Sequence, residues 1–279
     1  SELFASITED ARYNFFKLQG RRRSEKEYWA YDTTSISSYS NCLKQIQRGY
    51  NKEHDPLAQL NLALLFGQDS QLPFYYRKLA GNISDVKTVK NLLADLNYLN
   101  YKKVHMVMDR GFYSQDNING LYQNRIKFLV GVRISLKMVK RELETVRTTR
   151  CTWNNYNEEY DVYALSIPIK WDYKQERPYK GDVLKEKKRM YLHLYYNSQK
   201  AVDEELEFTK KMLMLNEEIT TGNIVKEHNK LYEKYFNIQS TPKRGVKTIA
   251  KQEVMDEAKK NYGDRKSTRL NSSHLGISY

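Results

Sequence analysis

The order in which strand-type and helix-type runs follow one another between Tyr28 and Ile134 limits this chain to few architectures. "YWAYDTTSISSYS" is rich in aromatic and β-branched residues and predicts a strand that carries Asp32. "LAQLNLALLFG" and "LPFYYRKLAGN" predict two more strands, separated by the turn residues Gly67, Gln68, Asp69 and Ser70, so the segment opens as an antiparallel meander. Ser84 stands as an N-cap before "DVKTVKNLLADLNYL", in which Val86, Val89, Leu92, Leu93 and Leu96 share one helical face. "KVHMVMDRG" comes next, uninterrupted in its apolar core and so expected to be buried on both faces. A helix over "SQDNINGLYQNRI" and a fifth strand over "KFLVGVRI" complete the series.

Three strands, a helix, a strand, a helix and a strand is the order of the ribonuclease H-like fold, an α/β architecture with a mixed five-stranded sheet. On this reading residues 1–26 form a helical lead-in ending near Arg21, Arg22 and Arg23, and residues 27–134 form the core. Residues 135–263 form a mixed α+β insertion after the fifth strand. "YDVYALSIPIKW" and "RMYLHLYYN" are its strands, and "AVDEELEFTKKMLMLNEEI" and "NIVKEHNKLYEKYF" its helices. Residues 264–279, "DRKSTRLNSSHLGISY", have neither helical nor strand periodicity and follow the glycine stop of "MDEAKKNYG". The stretch resembles the conceptual translation of a common short-read sequencing adapter, which predicts an artefactual, structureless tail. The absence of an initiator Met adds the expectation that both ends are cut.

Forty-seven Lys and Arg against thirty-four Asp and Glu give a formal charge of +13, spread along the chain. With twenty-three Tyr, that balance favours a nucleic-acid partner, because cations neutralise phosphates while rings pack on bases and sugars. No apolar run approaches membrane-spanning length and no signal segment opens the chain, so no membrane partner is expected and the protein reads as cytoplasmic. Cys42 and Cys151 lack metal-ligand spacing, which fits idle thiols in a reducing compartment.

In a ribonuclease H-like sheet the first and fourth strands are parallel neighbours, so Asp32 and Asp109 should face one rim. Two carboxylates at that separation repel each other, and either one takes a proton or a cation sits between them. Oxygen ligands suit a hard divalent ion, Mg²⁺ or Mn²⁺, completed by water and substrate phosphate. For a lone Asp after an apolar strand, capping of a turn is the ordinary role. The pairing in a basic chain points instead to a metal centre.

"YDTTSIS", "YRKLAGNISD" and "VMDRGFYS", together with "RGYNKEHDPLAQLNLAL" and "MDEAKKNYG", resemble the DDE transposases of bacterial insertion sequences. The resemblance is to the subgroup whose third acid lies in a Tyr-Arg-Glu-Lys signature after a β-rich insertion. It covers nearly all of residues 1–263. It implies metal-dependent DNA strand cleavage and strand transfer, with Asp32 and Asp109 as the first two acids. It further implies double-stranded DNA partners (transposon ends and target), a homodimer in the full-length protein and a bacterial, nucleoid-associated setting. The strand and the glutamate-bearing terminal catalytic helix should follow near Gly263, so both that helix and the third acid are expected to be missing and the fragment inactive. Glu204, Glu205, Glu253 and Glu257 lie in surface-type helices and are not assigned to the metal.

Lys52, Arg77, Lys78 and Arg110 are candidate phosphate contacts, weighed evenly against ordinary surface charge. Asn82 fits a turn better than a DNA contact. Trp153 and Trp171 fit buried packing better than base stacking. His54, His105, His193 and His228 show no ligand spacing. Two other readings stay open: a different ribonuclease H-like nuclease such as a resolvase, and a DNA-binding remnant without chemistry.

Overall fold

The computed structural model describes residues 6–23, 27–40, 42–49, 57–177, 179, 181–241, 245–264 and 276–278. The chain divides into two compact units, one of residues 1–145, 166–194 and 266–279, the other of residues 146–165 and 195–265.

The first unit opens with helix α1 (Glu9–Gly20), capped where Thr8 accepts from the Ala11 amide. Strands β1 (Tyr28–Ser37), β2 (Gln59–Gly67) and β3 (Pro73–Ala80) form the expected antiparallel meander. Helix α2 (Asp85–Tyr98) carries the chain to β4 (His105–Met108), which is parallel to β1, and α3 (Gln115–Gln123) carries it to β5 (Lys127–Gly131), parallel to β4. The resulting order β3-β2-β1-β4-β5, with only β2 antiparallel to the central strands, is the ribonuclease H-like arrangement.

Alternation along the strands decides which face is covered. Trp29 and Tyr31 of β1, Ala63 and Leu65 of β2, Met106 and Met108 of β4, and Phe128 and Val130 of β5 are all buried. Helices close that face with apolar stripes: Phe16 of α1 meets Tyr75, and Val89, Leu92, Leu93 and Leu96 of α2 and Ile118 and Leu121 of α3 are buried. On the opposite face of β4, His105 and Val107 are only half-buried, so the strand is covered on one side rather than both. Helix α2 starts at the predicted residue and ends one residue earlier than predicted, with Leu99 as its C-cap. Ser84 sits at its N-cap in extended conformation but makes no side-chain capping bond.

Beyond β5 the structure departs from a single insertion at residue 135. Helix α4 (Lys137–Val146) comes first, anchored by buried Val139 and Leu143 one turn apart. After β6 (Tyr156–Asn157), the long strands β7 (Val162–Glu176) and β8 (Val183–Tyr196) extend the core sheet with their residues 166–194. The reason is one-sided alternation: Ile169, Trp171 and Tyr173 on β7 and Met190, Leu192 and Leu194 on β8 are buried and need a cover. Helix α3 supplies polar anchors for that face, since Trp171 donates to Asn119 Oδ1 at 2.9 Å and Tyr122 donates to the Arg189 carbonyl at 2.8 Å.

The second unit holds α5 (Ser198–Thr221), α6 (Asn229–Tyr235), the hairpin β9 (Phe236–Thr241) and β10 (Gly245–Ala250), and α7 (Gln252–Lys259). Met212, Leu215 and Ile219 of α5 pack with Tyr232, Tyr235, Phe236 and Met255 in a core of its own. Gly263, with φ of +76°, ends this run in the left-handed conformation that a side chain resists.

The expectation of a structureless tail fails at two described places. Asp264 is buried and ion-paired with Arg150. Gly276–Ser278 forms β11, antiparallel to both β5 and β8, with Ile277 opposite Val130 and Leu192. A short extended segment suffices there because the facing edges of β5 and β8 supply the amides and carbonyls it needs. Residues 265–275 and 279 lie outside the described residues.

Candidate active site

The site begins with a register. In the parallel β1–β4 ladder Tyr28 lies opposite His105 and Tyr31 opposite Met108, so the next rung falls on Asp32 and Asp109. Neighbouring strands stand about 4.8 Å apart, which sets the scale of the approach of the two backbones. Both residues are exposed. Asp32 Oδ1 accepts from the Thr33 amide at 2.7 Å. Asp109 Oδ1 accepts from the Arg110 amide and caps the 3₁₀ turn Arg110–Phe112. Asp109 therefore has the ordinary capping role and the paired position together. Among the described residues, no group of three or more His, Cys, Asp or Glu is placed to hold a metal ion.

The chain around Asp109 leaves the sheet under tight control. Gly131, at the end of β5, has no room for a side chain: a Cβ there would lie 2.9 Å from the Arg110 amide nitrogen. Phe112 is buried against Tyr31 with ring centroids 5.0 Å apart. Burial pushes the Tyr31 phenol up to about 12, so it remains a neutral hydroxyl. Asn117 of α3 donates to the carbonyls of Phe112 (2.7 Å) and Val86 (2.9 Å), tying the turn after β4 to the start of α2.

The candidate phosphate contacts separate by face. Across the meander, Asp32 lies opposite Leu64 and Leu64 opposite Tyr76, while Thr34, Leu62 and Lys78 form the next row on the same side. Lys78 is exposed on the face that carries Asp32. Arg77 points to the helix-covered face, where its Nη1 lies 2.5 Å from Asp95 Oδ2. Tyr75 donates to the same oxygen and Tyr13 to Oδ1 at 3.1 Å, so Arg77 belongs to a polar cluster around the buried Asp95 carboxylate. Arg110 is half-buried directly after Asp109. Lys52 and His54 lie outside the described residues.

The remaining candidates have structural partners or stand apart from the rim. Asn82 lies in the turn between β3 and α2, which the β2 side chains Gln59 and Asn61 hold through the Gly81 carbonyl. Trp171 is buried, whereas Trp153 is 85 % exposed, against the expectation of packing for both. His193 meets Ser166 Oγ at 2.8 Å, and burial holds its imidazole below the usual range. His228 meets Glu218 at 2.9 Å. Glu204 accepts from the Gly263 amide and Glu205 pairs with Lys259, as helix-surface acids do. Cys42 and Cys151 are exposed free thiols.

Sequence reasoning missed Asp85, the first residue of α2. It accepts the Thr33 hydroxyl, from the residue that follows Asp32. The signal available was its place at the end of "GNISD", where an acid at a helix start is ordinarily explained by the helix dipole.

No helix among the described residues is long and apolar enough to cross a membrane. No curated protein matches this chain. Among solved structures, the piggyBac transposase synaptic complex with hairpin DNA is similar over 62 % of this chain at 11 % identity and a TM-score of 0.35. This chain spans 31 % of that one. A Ciona intestinalis endonuclease V variant in complex with inosine-containing DNA is similar over 51 % of this chain and 69 % of its own, at 13 % identity and a TM-score of 0.24. The family described as the transposase DDE domain matches residues 23–230, a span that holds both Asp32 and Asp109. The chain belongs to the DDE transposase family.

Proposed function

We propose that this chain is the catalytic part of a metal-dependent DNA transposase of bacterial insertion-sequence type, in the subgroup with the Tyr-Arg-Glu-Lys signature, and that Asp32 and Asp109 are two acids of its metal centre. The β1–β4 register carries this reading, because it brings two carboxylates from distant parts of the chain to adjacent positions. Like charges that close favour a cation between them. Their oxygens suit Mg²⁺ or Mn²⁺, with water and phosphate completing the shell. Such an ion would supply the positive charge that phosphoryl transfer requires. The chain's own residues do the rest: Asp32 and Asp109 hold the cation at the rim, and Lys78 and Arg110 draw the DNA backbone toward it. Arg77 is better assigned to Asp95. Transposon ends and target DNA are the proposed substrates, and a homodimer the working form. No third acid is assigned among residues 1–263, so on this reading the chain binds DNA and metal but cuts poorly.

Binding is accordingly the test. Mn²⁺ titrated into the full chain and followed by electron paramagnetic resonance should bind, and Asp32→Asn or Asp109→Asn should each weaken it at least about tenfold. Duplex DNA affinity should fall steeply with salt, with Lys78→Ala reducing the slope by about one. Equal Mn²⁺ affinity in the parent and both variants would remove the pair as metal ligands.

A further inference from the structure

The loop that enters α2 reaches both aspartate-bearing segments from the helix-covered side of the sheet. Gln59 and Asn61 of β2, both buried, hold its Gly81 carbonyl at 3.1 and 3.3 Å, and Asn61 also donates to the Ile83 carbonyl at 3.1 Å. That fixes where Asp85 begins the helix. One carboxylate oxygen of Asp85 accepts the Thr33 hydroxyl, immediately after Asp32 on β1. The other faces the turn after β4: a Cβ added at Gly111, two residues past Asp109, would lie 3.2 Å from Asp85 Oδ2. Gly111 thus allows the turn to approach the carboxylate closely. Thr88 and Asn117 brace the same joint, Thr88 by donating to the Asp85 carbonyl at 2.7 Å and Asn117 by joining α2 to the 3₁₀ turn.

We infer that Asp85 is a positioning residue for the Asp32–Asp109 pair, spanning the β1 and β4 segments through Thr33 and Gly111 and so fixing the separation of the two carboxylates. The inference rests on the reading of that pair as metal-holding. Asp85 acts through its neighbours: it accepts the hydroxyl of Thr33, on the helix-covered face, and its other oxygen stands where a side chain at Gly111 would crowd it. A residue that sets the geometry of a ligand pair affects metal affinity about 10- to 100-fold without touching the ion. An acid that merely started a helix would affect stability alone.

The experiment is Mn²⁺ binding to the full chain, read by electron paramagnetic resonance beside thermal unfolding without metal. Asp85→Ala is expected to weaken Mn²⁺ binding about tenfold, and Thr33→Val, which keeps shape while deleting the hydroxyl, to weaken it comparably. Asp85→Asn retains an oxygen that can accept from Thr33 and should restore affinity to within about threefold of the parent. Should Asp85→Ala fail to fold, the Thr33→Val and Asp85→Asn results decide alone. Affinity unchanged within about twofold in Thr33→Val overturns the inference. Loss in Asp85→Asn as deep as in Asp32→Asn also overturns it, since that pattern marks a direct ligand. If Asp32→Asn and Asp109→Asn leave binding unchanged, the metal-holding reading itself fails and takes the positioning role with it, a pattern distinct from failure at Asp85 or Thr33 alone.

Discussion

Asp95 and the Asp32–Asp109 pair are carboxylates of the same unit in opposite circumstances. Asp95 sits under the sheet, its side chain 11 % exposed, and receives Tyr13, Tyr75 and the Arg77 guanidinium. Asp32 on β1 and Asp109 just past the end of β4 each follow the last paired rung, Tyr31 opposite Met108; both are exposed, and each accepts the amide of the residue that follows it. In the first case the fold supplies a cation and hydroxyls to a buried acid. In the second it brings two like charges together, an arrangement that adds nothing to stability by itself. An acid surrounded by its own donors maintains the architecture, whereas acids gathered at a rim are explained by what they bind.

The sharpest way to break this contrast is Asp95→Ala. Removing it leaves the half-exposed Arg77 guanidinium and two tyrosine hydroxyls without their acceptor, and urea unfolding should show a loss of about 2 kcal/mol. A loss below about 1 kcal/mol would place Asp95 with the surface acids.

Alkaline titration tests the buried side by another route. Burial pushes the Tyr31 and Tyr101 phenols up to about 12. Between the ordinary tyrosine value of 10 and about 12 the unfolded chain therefore holds fewer protons than the folded one, and stability must fall as pH rises through that window. For the more deeply buried Tyr31 the loss is on the order of 2 kcal/mol. Ultraviolet titration of phenolate should show surface tyrosines ionising near 10 and a late group appearing only with unfolding. A single phase near 10 in folded protein would contradict the burial.

A second substitution joins the two regions. Gly131→Ala would place a methyl against the Arg110 amide, and should cost about 1–2 kcal/mol by moving the turn that begins at Asp109. Its effect on Mn²⁺ affinity should exceed its effect on stability, measured on the same samples. The smallest effect is expected at the rim itself. Without divalent ions, Asp32→Asn and Asp109→Asn should shift unfolding by no more than about 0.5 kcal/mol. A large destabilisation by either would mean that the acid is structural after all.

The core was legible where local chemistry and periodicity agreed. Helix α2 lies within one residue of its predicted span because Ser84, Asp85 and a stripe of Val and Leu all point to one element. The adjacency of Asp32 and Asp109 followed from element order alone. The ion pair of Arg77 with Asp95 was not legible because Asp95 lies on another element, and a pattern of apolar residues says nothing about which polar groups meet across a core. The hairpin of β7 and β8 showed its alternation but not its destination, since Ile169, Trp171 and Tyr173 would be buried equally well in a separate lobe. Strand β10 was overlooked for the opposite reason: all but one of its six residues are exposed, so no alternating burial marks it.

The β1–β4 rung also has a history in time. The β1–β2–β3 meander closes through pairings of shorter sequence separation, whereas β4 reaches β1 only after the chain has passed through β2, β3 and α2. Contacts of such long sequence separation require a large loop to close before they are rewarded. A nascent chain that has completed only the meander carries Asp32 without its neighbour, so the rim acquires its paired charge at the step that commits the sheet to its final order.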